Sequence, residues 1–439
     1  MRLTSLPSAR LSILGLASGL VASLLLSSPA SAARPSAPGG FTGHGFDTCV
    51  APDQATMDAW NLTSPFSAVG IYVSGSSRYC GDALQPNLSK QWVAQNAANG
   101  WRFLPIHVGR QAPCFVNNPS SRVQKQLMSR SAKTARSQAR SEAKETIAAL
   151  KRYGFGKHST SYLDIEYYTR SSACDRVVLE FVDAWTEYLH AKGYKSGLYG
   201  SGSAAIQAVD EARRSNRRGF TEPDQLWLAW GNGRADSKGG PYLSNSGWKR
   251  QRLHQYQLDV KETYGGAAIT IDKNYLDVGK GSRASKESKP CGTTQTFTRY
   301  RTLKAGSKGP QVKALECVLH RRGFLSSVDS HYRTGTARAV SAFQTSMGWA
   351  PTGTVTRPTW TALLSSGRSP RVLKVGSVGS PVWRLQRSLV AAGASLKVTG
   401  VYDTRTDRAV RAYRTVRGLP GYPTTDAAVW AELQRGQTL

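Results

Sequence analysis

Residues 162–168 read YLDIEYY, an apolar run that carries two acidic residues, Asp164 and Glu166. In an extended strand, side chains two positions apart lie on the same face, about 6.6 Å from one another along the chain. Ile165 then faces the opposite layer. A solvated edge strand would explain these acids without any function, whereas a buried strand would present them as a pair. The rest of the sequence has to distinguish the two.

Seven further short apolar runs flank this stretch and alternate with helical segments. With SYLDIE (161–166) they make eight, and they read HGFD (44–47), AVGIYV (68–73), RFLPIHV (102–108), KSGLYG (195–200), LWLAW (226–230), LHQYQ (253–257) and AITIDKN (268–274). Such alternation is typical of an α/β barrel or a doubly wound sheet. Eight strands in about 240 residues favour a (β/α)8 barrel of the TIM type.

The predicted barrel, residues 40–280, has one irregular corner. Only LDVKETYGGA joins the last two strands, and this segment is too short for an ordinary helix. Elsewhere amphipathic segments intervene, among them 177–192 and a long, highly charged helix predicted over about 122–153. We therefore expect an irregular (β/α)8 barrel.

Polar and aromatic residues stand where the predicted strands end, which in such barrels is the C-terminal rim that carries the chemistry. They are Asp47, Tyr72, His107, Asp164, Glu166, Tyr199, Trp230, Gln255, Tyr256, Asp272 and Asn274. The acids on the first, fourth and eighth strands converge, because strands one and eight are neighbours in a closed barrel and strand four faces them. Two carboxyls together cannot both ionise freely, so one pKa should rise and that group could donate a proton near neutral pH.

Such a proton donor suits glycosidic cleavage, which also needs a second group to stabilise positive charge at the anomeric carbon. The alternative is that Asp164 and Glu166 merely cap a strand end. A nucleophilic serine or cysteine enzyme is disfavoured, because YGSGSAA (199–205) does not fit the G-x-S-x-G pattern.

The C-terminal part of the chain repeats itself with a period of 70 residues. LKAGSKGPQVKALECVL (303–319) aligns with LKVGSVGSPVWRLQRSL (373–389). Apolar residues recur at helical spacing in each copy, which predicts two small three-helix modules over 299–366 and 369–436. The Ser, Gly and Lys-rich segment 281–298 is typical of a linker.

The first 32 residues have the features of a secretory signal peptide. An apolar run over 11–26 follows Arg2 and Arg10, and Ala30-Ser31-Ala32 fits a cleavage site. An uncleaved anchor helix is the alternative, although the run is short for a membrane span. We predict a secreted, extracellular or wall-associated protein with no integral membrane segment after cleavage.

Export changes how the cysteines are interpreted. The six form an even set, which predicts three disulfides in an oxidising compartment: Cys49, Cys80, Cys114, Cys174, Cys291 and Cys317. No C-x-x-C or H-E-x-x-H spacing is present. The sequence therefore predicts no metal and no cofactor.

The chain is strongly basic, with 58 Lys and Arg against 28 Asp and Glu. Inside a cell this balance would suggest nucleic acid. An exported protein meets anionic cell-wall polymers first, so we expect those as partners and no nucleic acid. General solubility is the alternative explanation of the charge.

The front domain resembles a known family. G-F-D near its start, D-x-E on the fourth strand, H-Q-Y and I-D-x-N are similar to the family 25 glycoside hydrolases, the secreted muramidases. GFDTCVAP, GWRFLPIHVGRQAPC, YLDIEYY and IDKNYLDVG resemble even more closely the glycoside-hydrolase-like domain of actinobacterial secreted proteins, a domain of unknown function.

This resemblance implies roles for the rim residues. Glu166 would be the general acid, Asp164 its partner at the oxocarbenium-like centre, and Asp47 and Asp272 would shape the subsite. The predicted substrate-binding residues are Tyr72, His107, Tyr199, Trp230, Gln255, Tyr256 and Asn274. Among the four cysteines of this domain, Cys49 with Cys80 and Cys114 with Cys174 is one of three possible pairings.

Each C-terminal copy resembles the bacterial peptidoglycan-binding module of wall hydrolases. The shared pattern is L-K-x-G-S-x-G-x-x-V-x-x-L, followed by an A-V helix and a terminal W-x-x-L. Cys291 in the linker and Cys317 in the first copy suggest a disulfide between them. The whole chain then predicts a monomeric, secreted hydrolase that cleaves β-1,4 bonds of peptidoglycan. The alternative is a non-catalytic wall-binding protein.

Overall fold

The computed structural model describes residue 35 and residues 37–117 and 125–439. The predicted signal peptide lies outside these residues. Eight strands form a closed barrel in the order in which they occur along the chain. They are β1 (Phe41–Asp47), β2 (Ala68–Ser74), β3 (Arg102–His107), β4 (Thr160–Ile165), β5 (Lys195–Ser201), β6 (Gln225–Ala229), β7 (Arg252–Tyr264) and β8 (Ala267–Val278).

The predicted irregularity of the barrel is confirmed and lies at β8. Strands β1 to β7 run parallel, whereas β8 is antiparallel to both β7 and β1. Gly265 and Gly266 join β7 to β8 with φ values of 58° and 83°, the positive values that a two-residue hairpin turn favours. Both strands are longer than predicted, 13 and 12 residues, because they pair along a hairpin beyond the barrel wall.

Five helices cover the outside of the barrel within the described part of the chain. They are α1 (Gln54–Thr63), α2 (Lys90–Ala98), α3 (Ala132–Arg152), α4 (Ser172–Ala191) and α5 (Gln207–Arg214). The long charged helix predicted from about residue 122 begins only at Ala132. Its start is set by Ser131, whose side chain accepts a hydrogen bond from the amide of Thr134 and so caps the helix.

Two apolar layers lie on either side of the barrel wall. Inside, Leu104, Tyr162, Trp227, Leu253 and Leu276 fill the barrel. Outside, strand and helix residues form a second layer that includes Phe46, Phe103, Leu163, Ile165, Val178 and Trp185. Successive residues of one strand therefore contribute to opposite layers. This alternation decides which polar side chains can reach the rim from inside.

The C-terminal part of the chain is all-helical and keeps the 70-residue repeat. The first module holds α6 (Pro310–Arg321), α7 (Thr334–Ser346) and α8 (Arg357–Ser365), and the second holds α9 (Ser380–Ala392), α10 (Thr404–Val416) and α11 (Ala427–Gln434). The bridge between Leu303 and Val355 recurs as Leu373 with Thr425. Trp360 and Trp430 are fully buried at matching core positions, so the repeated apolar positions form two equivalent cores.

All six cysteines are paired, as predicted. Cys49 bonds Cys80 and Cys114 bonds Cys174, with Cα atoms 5.7 and 6.1 Å apart. Cys291 of the linker bonds Cys317 of α6 across a Cα distance of 5.9 Å. The first two disulfides tie loops that follow β1, β2 and β3 to one another or to the start of α4. The third ties the linker to the first module.

The second module packs against the end of the barrel where the parallel strands begin. Thr424 donates a hydrogen bond to the Leu62 carbonyl at 2.6 Å, and Ser282 donates one to the Gly376 carbonyl at 2.9 Å. Gly376 is required there, because a Cβ atom would collide with the ring of Phe41. This module therefore contacts the end of the barrel opposite the rim.

A buried lysine lies in this contact. The ammonium of Lys374 donates to the Asn61 carbonyl at 3.1 Å and lies 4.7 Å from the centre of the Trp101 ring. Its repeat counterpart in the first module, Lys304, is exposed. Burial lowers the pKa of Lys374 to about 7, since an ammonium loses hydration in the contact.

We predict that Lys374→Met removes a pH dependence of stability. In the unfolded chain this lysine ionises near 10.5, so above about pH 7 the unfolded chain binds a proton that the folded protein lacks. The free energy of unfolding of the wild type should rise relative to that of the variant by about 3 kcal/mol between pH 7 and 9.5. Urea unfolding at the two pH values measures this, with Lys304→Met as control. Parallel pH dependences of wild type and Lys374→Met would contradict the prediction.

Candidate active site

Seven of the predicted rim residues face the inside of the barrel at its C-terminal end. They are contributed by β1, β2, β4, β5, β7 and β8: Asp47, Tyr72, Asp164, Tyr199, Gln255, Asp272 and Asn274. The reversed direction of β8 brings its acid there. Because the strand enters the barrel from the hairpin, Asp272 lies in mid-strand, directly opposite Asp47.

Gln255 bridges the two aspartates. Its amide nitrogen lies 3.0 Å from each carboxylate oxygen of Asp47 and 3.2 Å from Oδ2 of Asp272. The hydroxyl of Tyr199 donates to the amide oxygen of Gln255 at 2.9 Å, which fixes the orientation of the amide. Gln255 therefore holds the two acids in place, whereas the sequence predicted only that it contacts substrate.

Asn274 gives Asp47 a second, longer contact. Its amide nitrogen lies 3.4 Å from Oδ1 of Asp47, and its oxygen accepts a hydrogen bond from the indole of Trp227 at 2.7 Å. Trp227 is fully buried and was not identified from the sequence. The sequence does carry one signal for Trp227: the residue lies within LWLAW, on the strand face that points toward the inside of the barrel.

The environment disfavours ionisation of both Asp47 and Asp272. Burial and then the neighbouring Asp272 carboxyl raise the pKa of Asp47 well above its usual value, while hydrogen bonds from Gln255 and Asn274 oppose this shift. Burial also raises the pKa of Asp272. Gly70 makes room for this arrangement, because a Cβ atom there would lie 2.5 Å from Cβ of Asp47.

Asp164 is buried at the end of β4, and the residue is 5% exposed. Its Oδ1 atom is buried without a hydrogen-bond partner among the described residues. Burial and then the charge of Glu166 raise the pKa of Asp164 to about 8, while Lys125 opposes the shift. The raised pKa expected for one carboxyl of the pair therefore belongs to Asp164, whereas the family resemblance gives the role of general acid to Glu166.

Glu166 has a different environment, just beyond the last residue of β4. Its side chain is 38% exposed and lies 2.9 Å from the ammonium of Lys125. That ammonium also donates to the Ser77 carbonyl at 2.9 Å. The pair therefore consists of one buried carboxyl with a raised pKa and one accessible carboxylate in an ion pair.

Gln111 holds the chain between these two acids. Its amide nitrogen donates to the backbone oxygen of Asp164 at 2.9 Å, and its amide oxygen accepts from the backbone nitrogen of Glu166 at 2.8 Å. Both contacts replace ladder hydrogen bonds where β4 ends. Neither Gln111 nor Lys125 was identified from the sequence, since each lies about 40 to 55 positions from the residue it contacts and no local pattern marks it.

A cleft of about 610 Å³ opens at the rim on the side of Asp47 and Asp272. Asp47, Tyr72 and Asp272 line it, together with the loop 48–53 and the hairpin residues 268–271. Asp259 stands at the irregular part of β7, where its φ is 52°, and its amide donates to Oδ1 of Asp272 at 2.7 Å. Positive φ is uncommon for a residue other than glycine, although aspartate adopts it more readily than most.

Three predicted substrate-binding residues do not reach the acids. His107 is fully buried outside the barrel wall, with Nδ1 2.8 Å from the Ser74 hydroxyl and its ring 5.1 Å from that of Trp185. Its prediction as a rim residue is wrong, because the inward position of β3 belongs to Ile106.

Trp230 and Tyr256 also lie away from the acid cluster. Their ring centres are 5.7 and 6.2 Å from that of His254. On β7 the inward positions belong to Leu253 and Gln255, so His254 and Tyr256 face the other side. The structure therefore corrects the expectation that these two rings flank the acids.

Two parts of the chain match known protein families. Residues 58–276 match the family described as the Rv2525c-like, glycoside hydrolase-like domain, and residues 308–363 match the putative peptidoglycan binding domain. The chain thus combines a glycoside hydrolase-like domain with a peptidoglycan-binding domain, as a cell-wall glycoside hydrolase does. No curated protein matches it.

Solved structures similar to part of this chain include those of three bacterial proteins. The Tat-secreted protein Rv2525c of Mycobacterium tuberculosis is 13% identical over 54% of this chain and 95% of its own, with a TM-score of 0.36. The spore cortex lytic enzyme SleM of Clostridium perfringens is 14% identical over 54% of this chain and 67% of its own, with a TM-score of 0.32. The autolysin LytC of Streptococcus pneumoniae is 13% identical over 53% of this chain and 46% of its own, with a TM-score of 0.33. At these values the similarity carries no information on function.

The cellular location follows in outline from the domains and the disulfides. A peptidoglycan-binding domain and three disulfides indicate a protein that works outside the cytoplasm, at the cell wall. Within the described residues, no helix has the length and apolar character needed to cross a membrane.

The raised pKa of Asp164 predicts that Asp164→Asn changes how stability depends on pH. Between the ordinary value of 3.8 and about 8, the folded protein binds a proton that the unfolded chain has lost. The free energy of unfolding of the wild type should therefore fall relative to that of Asp164→Asn, by on the order of 3 kcal/mol from pH 5 to 8.

Chemical denaturation at a series of pH values measures this difference. Asp82→Asn is the control, because the Asp82 side chain is 58% exposed and should leave the pH dependence close to that of the wild type. If Asp164→Asn and the wild type lose stability in parallel, Asp164 does not carry the proton.

Proposed function

We propose that the barrel hydrolyses a β-1,4 glycosidic bond of peptidoglycan in the manner of an N-acetylmuramidase. The observation that carries this proposal is the unequal acid pair: Asp164 buried with a pKa of about 8, and Glu166 accessible two positions further on. General acid catalysis near neutral pH needs a carboxyl that still holds its proton there. A site that only bound sugars would need no such pair.

In this proposal Asp164 holds a proton near neutral pH, and Glu166, the more exposed member, contacts the glycosidic oxygen once substrate displaces Lys125. Glu166 takes up the proton of Asp164 and donates it to the leaving oxygen as the C–O bond breaks. The ionised carboxylate of Asp164 stabilises the positive charge that develops on the sugar ring. A water molecule then adds to the anomeric carbon and returns a proton to Asp164, which completes the hydrolysis.

Asp47 and Asp272 shape the neighbouring subsite. Both line the rim cleft and are held by Gln255. Burial raises the pKa of both carboxyls, and a carboxyl group can hydrogen-bond sugar hydroxyl and acetamido groups. The peptidoglycan-binding domain keeps this cleft on an insoluble substrate, and the excess of positive charge on the chain adds attraction to anionic wall polymers.

One observation favours a second candidate function, a wall-binding protein that does not cut glycan. The ion pair of Glu166 with Lys125 occupies the carboxylate that would have to meet the substrate. If substrate does not displace Lys125, the cleft can hold a glycan chain without protonating it. The two candidates make opposite forecasts for product formation.

Purified peptidoglycan incubated with the protein tests the proposal. We predict new muramic acid reducing ends by mass spectrometry, with a rate that falls as pH rises through about 8, where the pair loses its proton. Glu166→Gln and Asp164→Asn should each lower the rate by about 10² to 10⁴. Glu222→Gln is the matched control, because Glu222 is exposed and precedes β6, away from the rim.

Two outcomes would contradict the proposal. Wild-type protein that releases no product while it still sediments with peptidoglycan would support the binding protein instead. Turnover that survives Glu166→Gln undiminished would remove this residue from the mechanism, whichever bond is cut.

A further inference from the structure

A second cleft lies between the two helical modules and the linker, on a part of the chain that does not contribute to the barrel. Its volume is about 380 Å³. Four arginines line it: Arg321 and Arg322 from the end of α6, and Arg384 and Arg387 from α9. No acidic residue is among the lining residues that the structure describes. We call this feature the junction cleft.

Several guanidinium and amide donors of the junction cleft have no acceptor within the part of the chain that the structure describes. Nε and one terminal nitrogen of Arg384, Nε of Arg322 and the amide nitrogen of Gln295 are buried without a hydrogen-bond partner among the described residues. Buried donors are normally satisfied, because an unpaired one costs the free energy of its lost hydration. Four such donors around one cavity indicate a missing acceptor.

The two central guanidinium groups are held in place by other contacts. Arg384 lies 4.2 Å over the ring of Trp430 and donates to the Arg368 carbonyl at 3.0 Å. Arg322 donates to the carbonyls of Leu363 and Ser366 at 3.0 and 2.8 Å. Their unpaired donors are thus fixed in direction before any ligand arrives, which lowers the entropy that binding would cost.

The charges in the junction cleft are also unbalanced. Burial lowers the pKa of Arg384, and the charge of Arg322 lowers it further. Burial and the neighbouring Arg321 lower the pKa of Arg322 in the same way. The fourth arginine, Arg387, already has a partner in Glu287, 2.5 Å away. An anion between Arg322 and Arg384 would relieve their mutual repulsion.

The module fold itself does not require these arginines. At the equivalent positions of the other copy, Arg384 corresponds to Ala314 and Arg322 corresponds to Ala392. Each copy therefore carries an arginine where its partner copy carries an alanine, on the face where the two copies meet. This difference between the copies indicates that the two arginines serve the junction between the modules and not the fold of each module.

We propose that the junction cleft binds an oxyanion, a carboxylate or phosphate group carried by a wall polymer. Arginine presents paired N–H donors that match the two oxygens of either group. A peptide carboxylate of peptidoglycan and a phosphodiester of an anionic wall polymer share this chemistry. The site is independent of the barrel, so it would operate even if the barrel does not hydrolyse glycan.

Isothermal titration of the full-length protein tests the site with two probes. Inorganic phosphate represents the phosphodiester and N-acetyl-D-alanine the peptide carboxylate, each titrated at constant ionic strength against chloride. We expect saturable binding of at least one probe, and the stronger of the two identifies the source of the oxyanion. Arg384→Ala and Arg322→Ala should each weaken it at least tenfold.

Arg338→Ala is the matched control, because Arg338 is an exposed arginine of α7 outside the junction cleft. Its affinity for the probe should equal that of the wild type. Should Arg384→Ala disturb the packing of the modules, Arg384→Lys keeps the charge but not the paired donors, and should still lose affinity severalfold. No saturable binding of either probe beyond that of chloride, or equal binding by the wild type and both alanine variants, would overturn the proposal.

Discussion

The antiparallel pairing of β8 between β7 and β1 is the constraint on which the site depends. It closes the barrel with a hairpin in place of a helical crossover, and it brings a strand down into the barrel from the rim. Asp272 consequently lies opposite Asp47, within reach of the Gln255 amide. A parallel eighth strand would enter the barrel from the end opposite the rim. Its last residue, and not a mid-strand acid, would then lie opposite Asp47.

The chemistry of the rim follows from unequal environments around similar groups. Asp164 and Glu166 are two positions apart, yet one is buried and the other lies beyond the strand beside Lys125. Burial penalises the charged form of a carboxyl, whereas an ammonium favours it. The same sequence motif therefore yields one carboxyl with a raised pKa and one ion-paired carboxylate, and the proposed acid catalysis depends on this difference.

Features with a local sequence signal could be predicted. Strand count, the irregular last corner, the repeated modules and the even cysteine set each depend on patterns within a short stretch or on one offset. The direction of a side chain near a strand end was harder to predict than these features. His107, for example, follows the inward residue Ile106 and faces outward. Contacts between distant segments, such as those of Gln111, Lys125 and Lys374, leave no periodic trace.

The most direct test of the unequal acid pair measures the protonation state of Asp164. Difference infrared spectroscopy of the wild type against Asp164→Asn makes this measurement. If Asp164 holds the proton, the difference spectrum shows a protonated carboxyl band of this residue at pH 6, which is lost with a midpoint near pH 8. A difference spectrum showing only ionised carboxylate from pH 5 upward would contradict it. In that case the unequal acid pair, and with it the argument for hydrolysis, would not hold.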